Sequence, residues 1–146
     1  FALDQSQAAC DLAESNRKML GIDNVQVLQS NWFSALTASE LSAKSFDLIV
    51  SNPPYIDKDD HHLSEGDVSF EPLSALVADD AGLADIKHIT AAAIDFINPG
   101  GYLLFEHGYN QAAAVRNILM AAGFASVKSK KDLNGNDRAT LGCWPS

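Results

Sequence analysis

Phe46-Asp47-Leu48-Ile49-Val50 runs directly into Ser51-Asn52-Pro53-Pro54-Tyr55. The first five residues are apolar except for Asp47, two of them β-branched, and too few for a stable helix, so they predict a strand buried on both faces of a parallel sheet. The two prolines then remove two backbone N–H groups and fix φ, which ends both ladder and helix at that point. The stop falls at a strand's carboxyl end, where open α/β sheets hold their ligands. A doubly wound α/β architecture is therefore the first expectation.

The same corner carries chemistry. The carbonyls of Asn52 and Pro53 are held stiffly, and the Asn52 side-chain oxygen adds another acceptor. Such acceptors can take both protons of a planar –NH2 group, while Tyr55 offers a flat face to lie against. Accepting both protons pushes electron density onto nitrogen and aims its lone pair, so positioning and electrostatics replace a strong base. Methyl transfer from a sulfonium donor to an sp2 nitrogen matches that requirement. The competing reading is a proline-stiffened turn after a strand.

Composition narrows the partners. The 146 residues are one domain's worth, and 10 basic against 19 acidic residues give a net charge of −9. That balance repels a phosphate backbone, so direct nucleic-acid binding is not expected. Two cysteines, Cys10 and Cys143, are too isolated for a disulfide framework or a zinc site and fit a reducing cytoplasm. No apolar run is long enough to span a bilayer.

Upstream, Phe1-Ala2-Leu3 reads as a short strand ending in Asp4, followed by a helix over Gln5 to Leu20 with Ala8, Ala9, Leu12, Ala13, Met19 and Leu20 on one face and Gly21 as its stop. An acid between strand and helix either caps the helix or takes the ribose hydroxyls of a nucleotide-type cofactor. Beside the Asn52 motif the ribose reading prevails. The strand and glycine-rich turn that should precede such an acid are not in the sequence, which leads to the expectation of a fragment of a longer protein, residues 1–146 being the C-terminal part of its catalytic domain. Val25 to Gln29 predicts the next strand, delivering Asn31 and Trp32 where an adenine edge and face would sit, unless Trp32 is simply core. Residues 34–45 read as a short helix and a loop.

Beyond Tyr55, Ile56 to Gly82 reads as a long acidic loop. The pair His61-His62 has no ligand spacing, so no metal is expected. Phe70-Glu71-Pro72 is the candidate substrate clamp in this loop. Leu83 to Ile97 reads as a helix ended by Asn98-Pro99-Gly100-Gly101, and Tyr102 to Phe105 as a second buried strand leading to Glu106-His107-Gly108. For Glu106 and His107 a structural hydrogen bond is favoured over a catalytic role, since amide methylation needs no strong base, and both readings stay open. A helix over Gln111 to Ala122, capped by Asn110 and closed by Gly123, precedes two strands, Ala125 to Lys130 and Arg138 to Trp144, joined through Asn134-Gly135 as a hairpin.

These segments together resemble the catalytic domain of the HemK/PrmC family, the protein-(glutamine-N5) methyltransferases of peptide chain release factors. The resemblance is carried by Ser51-Asn-Pro-Pro-Tyr-Ile56, Gly66-Asp-Val-Ser-Phe-Glu-Pro72, Ala75-Leu76, Gly82-Leu83, Glu106-His107-Gly108 with Gln111, and Asp137-Arg138. It implies a class I S-adenosylmethionine-dependent (Rossmann-like) sheet with a C-terminal antiparallel hairpin, lacking here the first strand and glycine-rich turn. It further implies S-adenosylmethionine as cofactor, with Asp4 on the ribose, Asn31 and Trp32 near adenine, and Asn52 beside the methyl group. Asn52, Pro53, Pro54 and Tyr55 would hold the target glutamine of a release factor's Gly-Gly-Gln loop, with Phe70 and Glu71 as further substrate contacts. Asn31 stands where the family usually has aspartate, which implies a weaker grip on the adenine amino group. Two alternatives stay open: methylation of an exocyclic amino group on a nucleic-acid base, and a noncatalytic fragment that no longer binds cofactor.

Overall fold

The computed structural model describes residues 1–37, 46–56 and 73–146. They fall into two compact units, Phe1–Ala43 and Lys44–Ser146.

The first unit is a parallel β-α-β crossover. Strand β1 (Ala2–Asp4) pairs with β2 (Val27–Gln29) in the register Ala2↔Val27, Leu3↔Leu28, Asp4↔Gln29. Helix α1 (Gln7–Met19) joins them, as a parallel pair requires. Ser6 is its N-cap, with Oγ accepting the Ala9 N–H at 3.4 Å. The Asp4 carboxylate is therefore not the cap; its Oδ1 accepts the Ser6 N–H at 2.7 Å instead. The predicted apolar face of α1 is also corrected: Leu12, Met19 and Leu20 are exposed, and Cys10 is the buried side chain, flanked by half-covered Ala9 and Ala13. Small side chains face inward here, which lets the helix lie close to its two short strands. A single turn, α2 (Ser34–Thr37), follows β2.

The second unit is a four-stranded mixed sheet. Strand β3 (Phe46–Ser51) runs parallel to β4 (Ile97–Glu106). Short turns α3 (Leu73–Leu76) and α4 (Asp79–Gly82) lead into α5 (Ala84–Ala93), and α6 (Ala112–Ala121) follows β4. β5 (Ala125–Lys131) and β6 (Asp137–Cys143) form the expected antiparallel hairpin, and β6 lies antiparallel to β4, giving the order β3-β4-β6-β5.

One face of this sheet is covered. Leu103 and Phe105 on β4 and Thr140 on β6 are fully buried, α5 packs on β4, and α6 packs on β5 and β6. Ile86, Ile89, Val115 and Leu119 complete that core. Each such side chain contributes about 1.5–3 kcal/mol on burial. Among the described residues the opposite face is open. Leu48 and Val50, expected inside, are 56% and 62% exposed, and Tyr102, the register partner of Leu48, is 42% exposed. Neither β3 nor β4 is thus buried on both faces among the described residues.

Other boundaries move as well. The helix predicted to reach Ile97 ends at Ala93, and Ile97 opens β4, so Asn98-Pro99-Gly100-Gly101 falls inside the strand span, where the β3–β4 register shifts. Gln111, not Asn110, occupies the N-cap position of α6. Gly21 and Gly123 close α1 and α6 as expected, with φ of 64° and 98°.

Candidate active site

In the second unit, the proline corner leaves the end of β3. Ser51 is in register with Phe105, so the residues after Ser51 emerge beside Glu106 and His107 at the same sheet edge. Asn52 is exposed, Pro53 is buried, and Pro54 and Tyr55 are half-buried. An exposed amide on an anchored backbone is what the acceptor reading requires. Beyond Tyr55 the chain forms an isolated parallel bridge between Ile56 and Val77, with Ile56 N–H donating to the Leu76 carbonyl at 2.9 Å and Ala78 N–H to the Ile56 carbonyl at 3.0 Å.

His107 is fully buried, and its hydrogen bonds fix its tautomer. Nδ1 lies 2.9 Å from the Gly108 carbonyl, which can only accept, so Nδ1 carries the proton. Nε2, 2.7 Å from Thr140 Oγ1, is then the acceptor. The chain continues from Arg116 Nη1 to Ser129 Oγ at 2.7 Å and from Ser129 Oγ to Thr140 Oγ1 at 2.8 Å. Burial holds the His107 imidazole below its ordinary value, and Arg138 and Arg116 push the same way against the Gly108 carbonyl and Asp137. With both ring nitrogens engaged and the ring neutral, His107 braces the β4–β6 edge and has no lone pair left for a substrate proton. The structural reading of His107 stands on that geometry.

Gln111, which entered the sequence reading only as a helix start and through the resemblance, has a role that reading missed. Its buried amide reaches Tyr55, Ala81 and Gly108, partners that no local spacing advertises. Thr140 was likewise invisible, and Gly82 entered only through the resemblance; a polar residue opening an otherwise apolar helix was the one available signal for Gln111.

In the first unit, β1 and β2 place Asp4 and Asn31 at their common carboxyl edge. Ser30 N–H donates to the Asp4 carbonyl at 2.8 Å, and Ser30 Oγ bridges the Trp32 carbonyl at 2.7 Å and the Ala35 N–H at 3.0 Å. Asp4 and Asn31 are exposed, and Trp32 is half-covered with φ of 51°. The structure thus groups Asp4, Asn31 and Trp32 on one edge and Asn52, Pro53, Pro54 and Tyr55 on another. Phe70, Glu71, His61 and His62 lie outside the described residues. Among the described residues no group of three or more His, Cys, Asp or Glu is placed to hold a metal ion.

The family described as "Methyltransferase domain" matches residues 1–144. The chain belongs to that family. This methyltransferase domain is 53% identical over 143 residues to a release factor glutamine methyltransferase of Pseudomonas aeruginosa, covering 98% of this chain and 50% of that protein. It is 52% identical to the protein of that name from Salmonella typhimurium, covering 97% and 49%. The chain therefore spans about half the length of the curated relatives it matches. Among solved structures, a Pyrococcus furiosus methyltransferase superposes with a TM-score of 0.70 at 18% identity, covering 99% of this chain and 62% of that one. A release factor-specific protein-(glutamine-N5) methyltransferase of Alicyclobacillus acidocaldarius gives 0.51 at 22% identity, covering 99% and 78%. These likenesses support the methyltransferase α/β fold, and the sequence relatives bear out the resemblance read from the motifs.

Proposed function

We propose that the protein transfers a methyl group from S-adenosylmethionine to the side-chain amide nitrogen of a glutamine in peptide chain release factors. The observation that carries this reading is the exposed Asn52 at the carboxyl end of β3, set on a corner whose Pro53 is buried. The names of the relatives, of whose length this chain spans about half, point to the same substrate.

The first unit's residues fit the cofactor. Asp4 is exposed and its carboxylate accepts one backbone hydrogen bond, which leaves acceptor capacity for ribose hydroxyls. Asn31 and Trp32 would serve the adenine, and the bound cofactor would supply an electrophilic methyl on a sulfonium sulfur. The Asn52 side-chain oxygen and the Pro53 carbonyl would accept the two N–H groups of the glutamine amide, with Tyr55 against its plane. Holding both protons keeps the nitrogen's electron density directed at the methyl carbon. The amide nitrogen, held by Asn52 and Pro53, would form the new N–C bond to the cofactor's methyl group and release one proton to solvent, leaving the S–C bonding pair on sulfur as a neutral thioether. Positioning and acceptor electrostatics account for the rate without a general base.

Release factors act in the cytoplasm, and Cys10 and Cys143 are free thiols, which supports a reducing compartment. No described helix is long and apolar enough to cross a membrane. Incubating the gene-encoded protein with S-adenosylmethionine and a release factor, followed by peptide mass spectrometry, tests the proposal. One added CH2 on the Gly-Gly-Gln glutamine is expected. An unmodified glutamine at saturating cofactor, or methylation of nucleic acid in its place, would overturn it.

A further inference from the structure

Three stretches of the second unit meet at one side-chain amide. Gln111 is 8% exposed, and its Nε2 donates to the Tyr55 carbonyl at 2.9 Å and to the Ala81 carbonyl at 3.0 Å. Its Oε1 accepts the Gly108 N–H at 2.8 Å. The partners leave only one orientation of the amide: a donor faces the oxygen and two carbonyls face the nitrogen. Gln111 sits at the start of α6, fixed by its own N–H on the Gly108 carbonyl at 2.9 Å and by its carbonyl on the Val115 N–H at 3.0 Å.

The facing segment is shaped for this contact. Asp80, Ala81 and Gly82 hold successive left-handed conformations, with φ of 59°, 53° and 76°. Two non-glycine residues in that region are strained, and the strain is sustained only where surrounding contacts hold it. A Cβ on Gly82 would stand 2.1 Å from the Tyr55 carbonyl oxygen and 2.7 Å from Gln111 Nε2. Only glycine lets the two backbones approach closely enough to share one amide.

The geometry points to Gln111 as a positioning residue for methyl transfer, clamping the exit of the Asn52-Tyr55 corner through the Tyr55 carbonyl; this rests on the function proposed above. The prolines stiffen the corner from within, and the Ile56–Val77 bridge ties down the chain beyond it. The Tyr55–Ile56 peptide between them is held at both ends, its N–H by the Leu76 carbonyl and its carbonyl oxygen by Gln111, the one side chain that grips it among the described residues. The change Gln111→Glu is nearly isosteric, yet it sets a carboxylate oxygen against two carbonyls and pushes the corner away. Loss of registration at a reacting centre by about 1 Å costs on the order of a hundredfold in rate.

The test compares Gln111→Glu and Gly82→Ala with wild type in the gene-encoded protein. Single-turnover methylation of a release factor should fall by about tenfold to a hundredfold in each. The double variant should be no worse than the poorer single variant, because both changes open the same clamp. Cofactor affinity should stay within about threefold, a split that a general loss of folding would not produce. Amide exchange gives a readout free of activity: protection of the Ile56 N–H, bonded to the Leu76 carbonyl at the displaced corner, should drop in Gln111→Glu while that of the His107 N–H persists. Rates within about twofold of wild type, equal losses in rate and cofactor affinity, or unchanged Ile56 protection would each overturn the clamp. An inactive wild type would sink the functional reading alone, and the exchange result would still decide the clamp.

Discussion

Asn52 and His107 sit at the same sheet edge in opposite conditions, one exposed and the other fully buried. The exposed amide contributes little to folding, so Asn52→Ala should leave the denaturation midpoint nearly unchanged. Methyl transfer should nonetheless fall by about a hundredfold to a thousandfold, the usual loss on removing one preorganised polar group that acts on the reacting centre. For His107 the expected effect is on stability. Its folded-state value is depressed from 6.5, chiefly by burial, so between that value and 6.5 the unfolded chain binds a proton that the folded chain refuses. The contribution is complete above pH 6.5 and is lost as pH falls toward the folded value. Urea midpoints at descending pH should therefore drop more steeply for wild type than for His107→Gln, and parallel profiles would refute the buried neutral imidazole. Thr140→Val keeps the shape but strands His107 Nε2 and takes a partner from Ser129, and should cost about 1–3 kcal/mol.

At the scale of elements, local chemistry was readable and coverage was not. The apolar run before Ser51 became β3, Asn134-Gly135 became the turn between β5 and β6, and Gly123 closed α6. A continuous apolar run, however, does not say which face meets a helix. Leu48 and Val50 share the open face of β3 because coverage is decided by elements distant in sequence. Ile97 was assigned to a helix for a similar reason, since an isoleucine after a helical run suits either a last turn or a first strand residue. Gln111 shows the same limit at the site: its bond to Tyr55 joins residues 56 positions apart. The helix α1 supplies an electrostatic prediction. Arg17 and Lys18 hold the Glu14 carboxyl at about 2 rather than 4.5, with the Arg17 hydrogen bond as the main cause. That contribution is present above 4.5 and lost as pH falls through the window down to about 2. Glu14 and Arg17 are partly exposed and Lys18 is exposed, so salt should weaken it. Glu14→Gln should flatten the acid limb of the α1 helix signal, and the difference from wild type should shrink at about 1 M salt.

For the molecule as a whole, the two units differ in what holds them together. In the second, β4 is flanked by β3 and β6 over a core that includes Phe105, Leu103 and Ile86. The first has strands of three residues in a single ladder, and Cys10, Ser30 and Leu36 are its buried described residues. Regions with few buried apolar contacts open at lower free energy than core strands, even where every backbone group is paired. The N–H of Ser30, bonded to Asp4 at 2.8 Å, and that of His107, bonded to Arg138 at 3.0 Å, are comparable donors in unlike settings. Native-state hydrogen exchange should therefore find His107 exchanging only through global unfolding, with a urea dependence equal to the equilibrium slope. Ser30 should exchange at least about tenfold faster and with a shallower urea dependence. If both amides share one rate and one slope, the two units unfold as one, and the edge carrying Asp4 and Asn31 is as rigid as the edge carrying Asn52. If they separate as expected, saturating S-adenosylmethionine should slow Ser30 more than His107, because a ligand gripping Asp4 stabilises most the unit that opens most readily.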